Sequence, residues 1–152
     1  MIGWQQAVEE VFKMQKMFGD MINPGISMAE AACLKNLCKD KFGFSLPEEY
    51  CEVLRCFNGI EFNGYVLYSA DADVLREEPQ QTIAGVLEMN DTWHENGEFK
   101  KYLFLGESSL SWYVYEPERN AFLELDLPSG EVEKEYMNFD EMFSEMLKEC
   151  IS

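Results

Sequence analysis

The apolar residues of this 152-residue chain change their spacing near residue 60, and that change constrains the fold more than any other feature. Before it, apolar side chains recur every three or four residues, which is typical of amphipathic helices. After it, most of them alternate with a period of two in short segments divided by turns, which is typical of strands. Helices and strands that are segregated along a chain indicate the α+β class.

The helix signals predict three helices in the first third of the chain, one in the middle and one at the end. Ser or Asn followed three residues later by Glu is a capping signal that marks a helix start, and Gly marks a helix end. The predicted helices are about residues 3–20, with Met17, Phe18 and Met21 on the apolar face; Ser27/Glu30 to Gly43; Ser45/Glu48 to Asn58-Gly59; a segment with Ile83, Val86, Leu87 and Trp93; and a helix opened by Asn138/Glu141.

The β-rich segments predict an antiparallel meander. Both faces of the segment 101–105 are apolar, which favours a central position in the sheet. We expect one domain over residues 1–152, with helices packed on one face of the sheet. The predicted strands are residues 65–68, 101–105, 111–116 and 121–126, with a short run at 132–137.

The charge of the chain restricts the partners it can bind. The net charge is −17, and residues 61–152 carry −15 of it, from 21 acidic and 6 basic residues. Nucleic acids and anionic membranes would repel such a surface, so we expect neither as a direct partner. A basic protein would be attracted, although solubility alone also explains an acidic surface.

Few residues offer catalytic or metal chemistry. His94 is the single histidine, and its place at the end of a predicted helix fits a C-terminal cap better than a catalytic group. The cysteine pairs 33/38 and 51/56 are spaced five residues apart, which turns two thiols about 140° away from each other on a helix. We therefore expect free, buried thiols, no metal, no cofactor and no enzymatic activity.

The compartment follows from the cysteines and the N-terminal segment. Five cysteines is an odd number, and residues 1–10 lack the basic and apolar regions of a signal peptide. No apolar run approaches the roughly 20 residues of a membrane span. These features predict a cytoplasmic protein.

The segment 111–115 alternates Trp112 and Val114 on one sheet face with Tyr113 and Tyr115 on the other. If helices cover only one face, an aromatic residue of this strand looks outward and can anchor a partner. The alternative is that the loop 69–80 or the closing helix covers these aromatics. The candidate partner-binding residues are two tryptophans and three acids in loops flanking the strands: Trp93, Glu95, Glu98, Glu107 and Trp112.

Five segments of the chain, taken in order, resemble the SUKH superfamily of Smi/Knr-like proteins. The last two are similar to its YrhA-like branch in particular, and the likeness runs from about residue 10 to 150. The segments are 46–50 (LPEEY), 57–59 (FNG), 62–68 (FNGYVLY), 102–113 (YLFLGESSLSWY) and 124–130 (ELDLPSG).

This resemblance implies an α+β fold and an immunity function. Most members of the superfamily are bacterial immunity proteins that bind and neutralise a cognate polymorphic toxin, often a nuclease. An acidic inhibitor of a basic toxin fits the charge independently. The resemblance transfers neither catalytic nor contact residues. Two other hypotheses remain open: a non-catalytic adaptor or regulator, as in fungal relatives, and a small enzyme that joins His94 to a carboxylate.

Overall fold

The computed structural model describes residues 3–152 and contains five α-helices and six β-strands. Two short 3-10 helices, Ala72–Val74 and Gly97–Lys101, lie in the connections. The helices are α1 Trp4–Met17, α2 Met28–Phe42, α3 Glu48–Cys56, α4 Val86–Trp93 and α5 Phe139–Ile151; the strands are β1 Ile60–Phe62, β2 Tyr65–Leu67, β3 Leu103–Glu107, β4 Ser111–Glu116, β5 Ala121–Asp126 and β6 Val132–Tyr136.

The strands form one open antiparallel sheet in the order β1-β2-β3-β4-β5-β6. Each strand therefore pairs with its neighbour in sequence, and β1 and β6 are the two edges. This confirms the predicted α+β class and the antiparallel meander. Strands β4 and β5 begin and end where the alternation predicted them.

Two of the predicted helix caps are present and one is not. Ser27 and Glu30 form a reciprocal capping box at the start of α2, and the Asn138 side chain accepts a hydrogen bond from the Glu141 amide at the start of α5. At α3 the residue before the first turn is Pro47, and its side chain makes no capping hydrogen bond. The prediction that Ser45 caps α3 is wrong, because the helix begins only at Glu48.

The predicted apolar face of the first helix is also wrong at its C-terminal end. Helix α1 stops at Met17, and Phe18 is its C-cap residue. Met17 is 83% exposed and Phe18 69% exposed, and Met21 is exposed as well. Phe18 and Met21 lie beyond the point where the backbone leaves the helix, so their side chains no longer follow its apolar face. Met17 is still helical, but it lies on the side of α1 opposite the buried Val8, Val11 and Gln15.

Between residues 60 and 107 the structure departs from the predicted strand bounds. The three-residue strand β1 was not predicted; it pairs with β2 across a tight turn in which Asn63 and Gly64 have φ values of 51° and 81°. Positive φ at both central residues is the signature of a two-residue hairpin turn. Strand β3 begins two residues later than predicted, because Lys101 ends the 3-10 helix Gly97–Lys101.

The main helical layer packs on the sheet face that carries Tyr115 and Phe122. Phe139 of α5 meets Phe122 with ring centroids 6.0 Å apart, and Tyr50 of α3 lies 6.3 Å from Phe139. Trp4 of α1 in turn contacts Phe143 of α5. These residues belong to one continuous cluster of buried apolar side chains.

Helix α4 lies against the edge of β3, where the short β2 no longer pairs with it. The side chain of Asn90 pairs with the backbone of Phe104: its Nδ2 donates to the Phe104 carbonyl at 2.9 Å, and its Oδ1 accepts from the Phe104 amide at 2.7 Å. Asp71, which is distant in the sequence, caps the N-terminus of α4. Its carboxylate accepts hydrogen bonds from the amides of Leu87 and Glu88. Within residues 3–152, no helix has the length and apolar character needed to cross a membrane.

Candidate binding surface

Three of the five candidate residues lie together on the side of the sheet that faces α4. Trp93 closes α4, and its ring centroid is 5.2 Å from that of Trp112 on β4. The Trp93 indole Nε1 donates to the Tyr68 hydroxyl at 3.0 Å, and that hydroxyl donates to Glu107 Oε1 at 2.7 Å. Hydrogen bonds thus link three residues in one chain: Trp93 at the C-terminus of α4, Tyr68, and Glu107 on β3.

Trp112 is buried, so the prediction that an outward-facing aromatic of residues 111–115 anchors a partner is wrong for Trp112; Tyr115 of the same strand is half-buried. Trp112 is 3% exposed, and Tyr113, on the opposite sheet face, is fully covered too. Trp93 and Phe99 cover Trp112, with Phe99 at 5.3 Å from its ring. The cover of Trp112 comes from the end of α4 and the 3-10 helix Gly97–Lys101, rather than from the loop 69–80 or the closing helix; the closing helix α5 packs on the opposite face, which carries Tyr115. Trp112 is therefore a core residue in this conformation.

Glu107 is half-buried and acts as the acceptor for a buried tyrosine. Burial, followed by the Glu107 carboxylate, raises the pKa of Tyr68 well above its usual value, so the phenol keeps its proton and donates. A positive charge at residue 107 would leave the Tyr68 hydroxyl without this acceptor. Trp93 is half-buried, and the Tyr68 hydroxyl links its indole to Glu107.

Glu95 and Glu98 are fully exposed in the connection between α4 and β3. Asn96, between them, caps the 3-10 helix by accepting a hydrogen bond from the Glu98 amide. Neither carboxylate forms an ion pair with any residue from 3 to 152. They are free to interact with a partner.

A second acidic surface was not predicted. Glu131, Glu133 and Glu135 are exposed along the edge strand β6 and the turn before it, beside the exposed apolar side chains of Val132 and Met137. The sequence run EVEKE at 131–135 carries a signal for this surface, because three acids at every second position are typical of a solvated strand. We call residues 131–137 the β6 edge.

His94 has a structural role. It is the C-cap residue of α4, as predicted, but its ring is buried and its Nε2 lies 2.7 Å from the Tyr102 carbonyl, to which it donates when neutral. Burial lowers its pKa, so the helix dipole does not hold a charged imidazole there. A shallow recess contains His94 together with Asp91, but the Asp91 carboxylate is paired with Lys41 at 2.9 Å.

The five cysteines are free, as predicted, but only three of them are buried. Cys33 and Cys56 lie on exposed helix faces, so the prediction of buried thiols is wrong for these two. Burial raises the pKa of Cys38 to about 12 and the pKa values of Cys51 and Cys150 to about 11. Among residues 3–152, no three His, Cys, Asp or Glu side chains converge as a metal site would require.

The thiols give a direct test of this arrangement. Because the thiolate is the reactive form, we expect two thiols, Cys33 and Cys56, to react rapidly with a thiol reagent in the native protein. The three buried thiols should react only after denaturation. Native mass spectrometry should give the mass of the metal-free chain; a stoichiometric zinc adduct, or five equally fast thiols, would contradict the prediction.

Comparison with protein-family models and with curated proteins finds no match to this sequence.

Proposed function

We propose that this protein binds and neutralises a cognate basic toxin in the manner of a bacterial immunity protein, by occluding the toxin's functional surface. The carrying observation is the exposed, largely unpaired negative charge beyond residue 60. Thirteen of the 21 acids there are exposed, and two of these, Asp91 and Glu135, form ion pairs with described residues. Charge of one sign on one partner accelerates association with a partner of the opposite sign.

The proposal that the partner is a toxin rests on the sequence resemblance to the SUKH superfamily. The proposal that this toxin is basic rests on the acidic surface of the chain. A nuclease that binds phosphate carries a basic cleft, and an acidic surface can compete for that cleft. The candidate contact surface consists of the exposed acids Glu95 and Glu98 with the half-buried Trp93 and Glu107. The proposal includes no catalytic step, since the single His is engaged with the Tyr102 carbonyl and the Asp91 carboxylate with Lys41.

The first experiment is to co-express the chain with the product of the neighbouring gene. We expect the neighbouring product to be toxic alone and harmless in the presence of this chain, and the two purified proteins to form a complex. A neighbouring gene that encodes no toxin, together with binding to a host protein, would favour the adaptor or regulator hypothesis instead. Absence of any complex would contradict the proposal.

The electrostatic part of the proposal predicts a change in association rate. Replacing Glu95 and Glu98 with lysine should slow association with the toxin about three- to tenfold at low salt, and much less at high salt, because salt screens exposed charges. Stopped-flow measurements at two ionic strengths test this. Glu107 is left unchanged because it accepts the Tyr68 hydrogen bond.

The matched control is Glu9→Lys with Glu52→Lys. Both residues are exposed on the helical side of the molecule, and the pair changes the net charge by the same amount. We expect it to slow association less than the Glu95 and Glu98 pair. Equal effects of the two double variants would mean that net charge alone steers association. Association that does not depend on salt would contradict the electrostatic mechanism.

A further inference from the structure

Three strands, β1, β3 and β6, have backbone groups that no neighbouring strand pairs, and they differ in how these groups are satisfied. At β3, the amide of Asn90 pairs with both backbone groups of Phe104. At β1, the side chain of Gln15, buried against the strand, donates to the Glu61 carbonyl at 3.3 Å. In both places a helix supplies a side-chain amide where a further strand would otherwise pair.

The β6 edge has no such cover. On its inner side β6 pairs with β5. On its outer side, no hydrogen bond joins the backbone of Val132–Tyr136 to any other part of residues 3–152. An open strand edge presents a row of N–H and C=O groups that can pair with another extended chain.

The side chains of the β6 edge define the chemistry of what can pair there. Glu131, Glu133 and Glu135 are exposed, and of these Glu135 pairs with Arg119; Val132 is 52% exposed and Met137 87% exposed. The one base of the segment, Lys134, lies over the Tyr136 ring at 4.8 Å. Charged residues on an edge discourage pairing with a second copy, since like charges would face each other. That protective role does not account for the two exposed apolar side chains, which suit a partner that alternates basic and apolar residues.

We propose that the β6 edge docks an extended segment of the partner that is rich in lysine or arginine and adds to the sheet as a seventh strand. Backbone hydrogen bonds to β6 would supply affinity, and the acids would select the basic sequence. The identity of the partner rests on the proposed function. The expectation that a basic, extended segment binds rests on the unpaired backbone groups and the acidic side chains of the β6 edge.

A synthetic peptide of four Lys-Val repeats is the probe. We expect it to bind the full chain at low salt and to slow hydrogen exchange at alternate amides of Val132–Tyr136, whose N–H groups point outward. A peptide of the same sequence that is N-methylated at every peptide nitrogen keeps the charge and the side chains but has no backbone donor there, so it cannot extend the ladder. We expect it to bind about tenfold more weakly. Equal affinity of the two peptides, or protection elsewhere in the chain, would overturn the inference.

The matched variants locate the binding. Glu131→Lys with Glu133→Lys should weaken Lys-Val binding about tenfold, while Glu9→Lys with Glu52→Lys, of equal charge change, should weaken it less than threefold. Sedimentation of the free chain should give a monomer; a dimer whose β6 amides are protected would assign the edge to a second copy and overturn the proposal. The peptide assay needs no toxin. If the Lys-Val peptide does not bind, the docking inference fails, and the complex with the neighbouring gene product still tests the proposed function separately.

Discussion

Replacing Trp112 with alanine is expected to lower the free energy of unfolding by about 3 to 5 kcal/mol. The side chain is almost fully buried and lies within 5.2 to 5.5 Å, between ring centroids, of Trp93, Phe99 and Phe104. Its removal leaves a cavity on the face of the sheet that α4 and the 3-10 helix cover. Urea denaturation followed by circular dichroism measures the loss.

Two further variants separate packing from other contributions. Leu110→Ala alters an exposed side chain of the neighbouring turn and should change stability by less than about 0.5 kcal/mol. Trp112→Phe keeps an aromatic ring and removes the indole N–H, which has no hydrogen-bond partner in residues 3–152. It should therefore cost much less than alanine. If Trp112→Ala left stability unchanged and instead accelerated dissociation of a partner, Trp112 would be a contact residue, as the sequence suggested.

Much of the fold was accessible from local sequence patterns because those patterns report local physics. A period of two identifies β4 and β5 to the residue, and a Ser or Asn placed three residues before Glu identifies the starts of α2 and α5. The errors fall where a local signal competes with tertiary structure. The apolar spacing of α1 continues through Phe18, but the backbone ends the helix one residue earlier, and the Gly19 φ of 76° completes the exit.

The candidate surface was less predictable for a different reason. Alternation along β4 shows which residues share a face, but it does not show what covers that face. Trp112 is covered by Trp93 and by Phe99, which stand at the end of one helix and inside a 3-10 helix with no clear sequence signal. Exposure of Glu95 and Glu98 was predictable from polarity alone. The position of β6 at an edge follows from the predicted meander, but the alternation could not show that no helix or loop covers that edge.

Replacing Asn90 with alanine is expected to lower the free energy of unfolding by about 2 to 4 kcal/mol. The Asn90 side chain is buried, and its amide satisfies both the N–H and the carbonyl of Phe104. Truncation leaves two backbone groups without partners at the buried edge of β3, and each such group costs about 1 to 3 kcal/mol. The Phe104 amide should also exchange its hydrogen much faster, which nuclear magnetic resonance can follow at a single residue.

Gln15→Ala is the matched comparison, because Gln15 occupies the equivalent position at β1. Its amide makes one bond of 3.3 Å to the Glu61 carbonyl, and its Oε1 is buried with no partner in residues 3–152. The alanine variant loses a single weak bond and removes an unsatisfied oxygen, so the two changes partly offset each other. We therefore expect a smaller loss than for Asn90→Ala. Equal losses would show that burial of the side chain, rather than its pairing with the strand edge, determines stability at both positions.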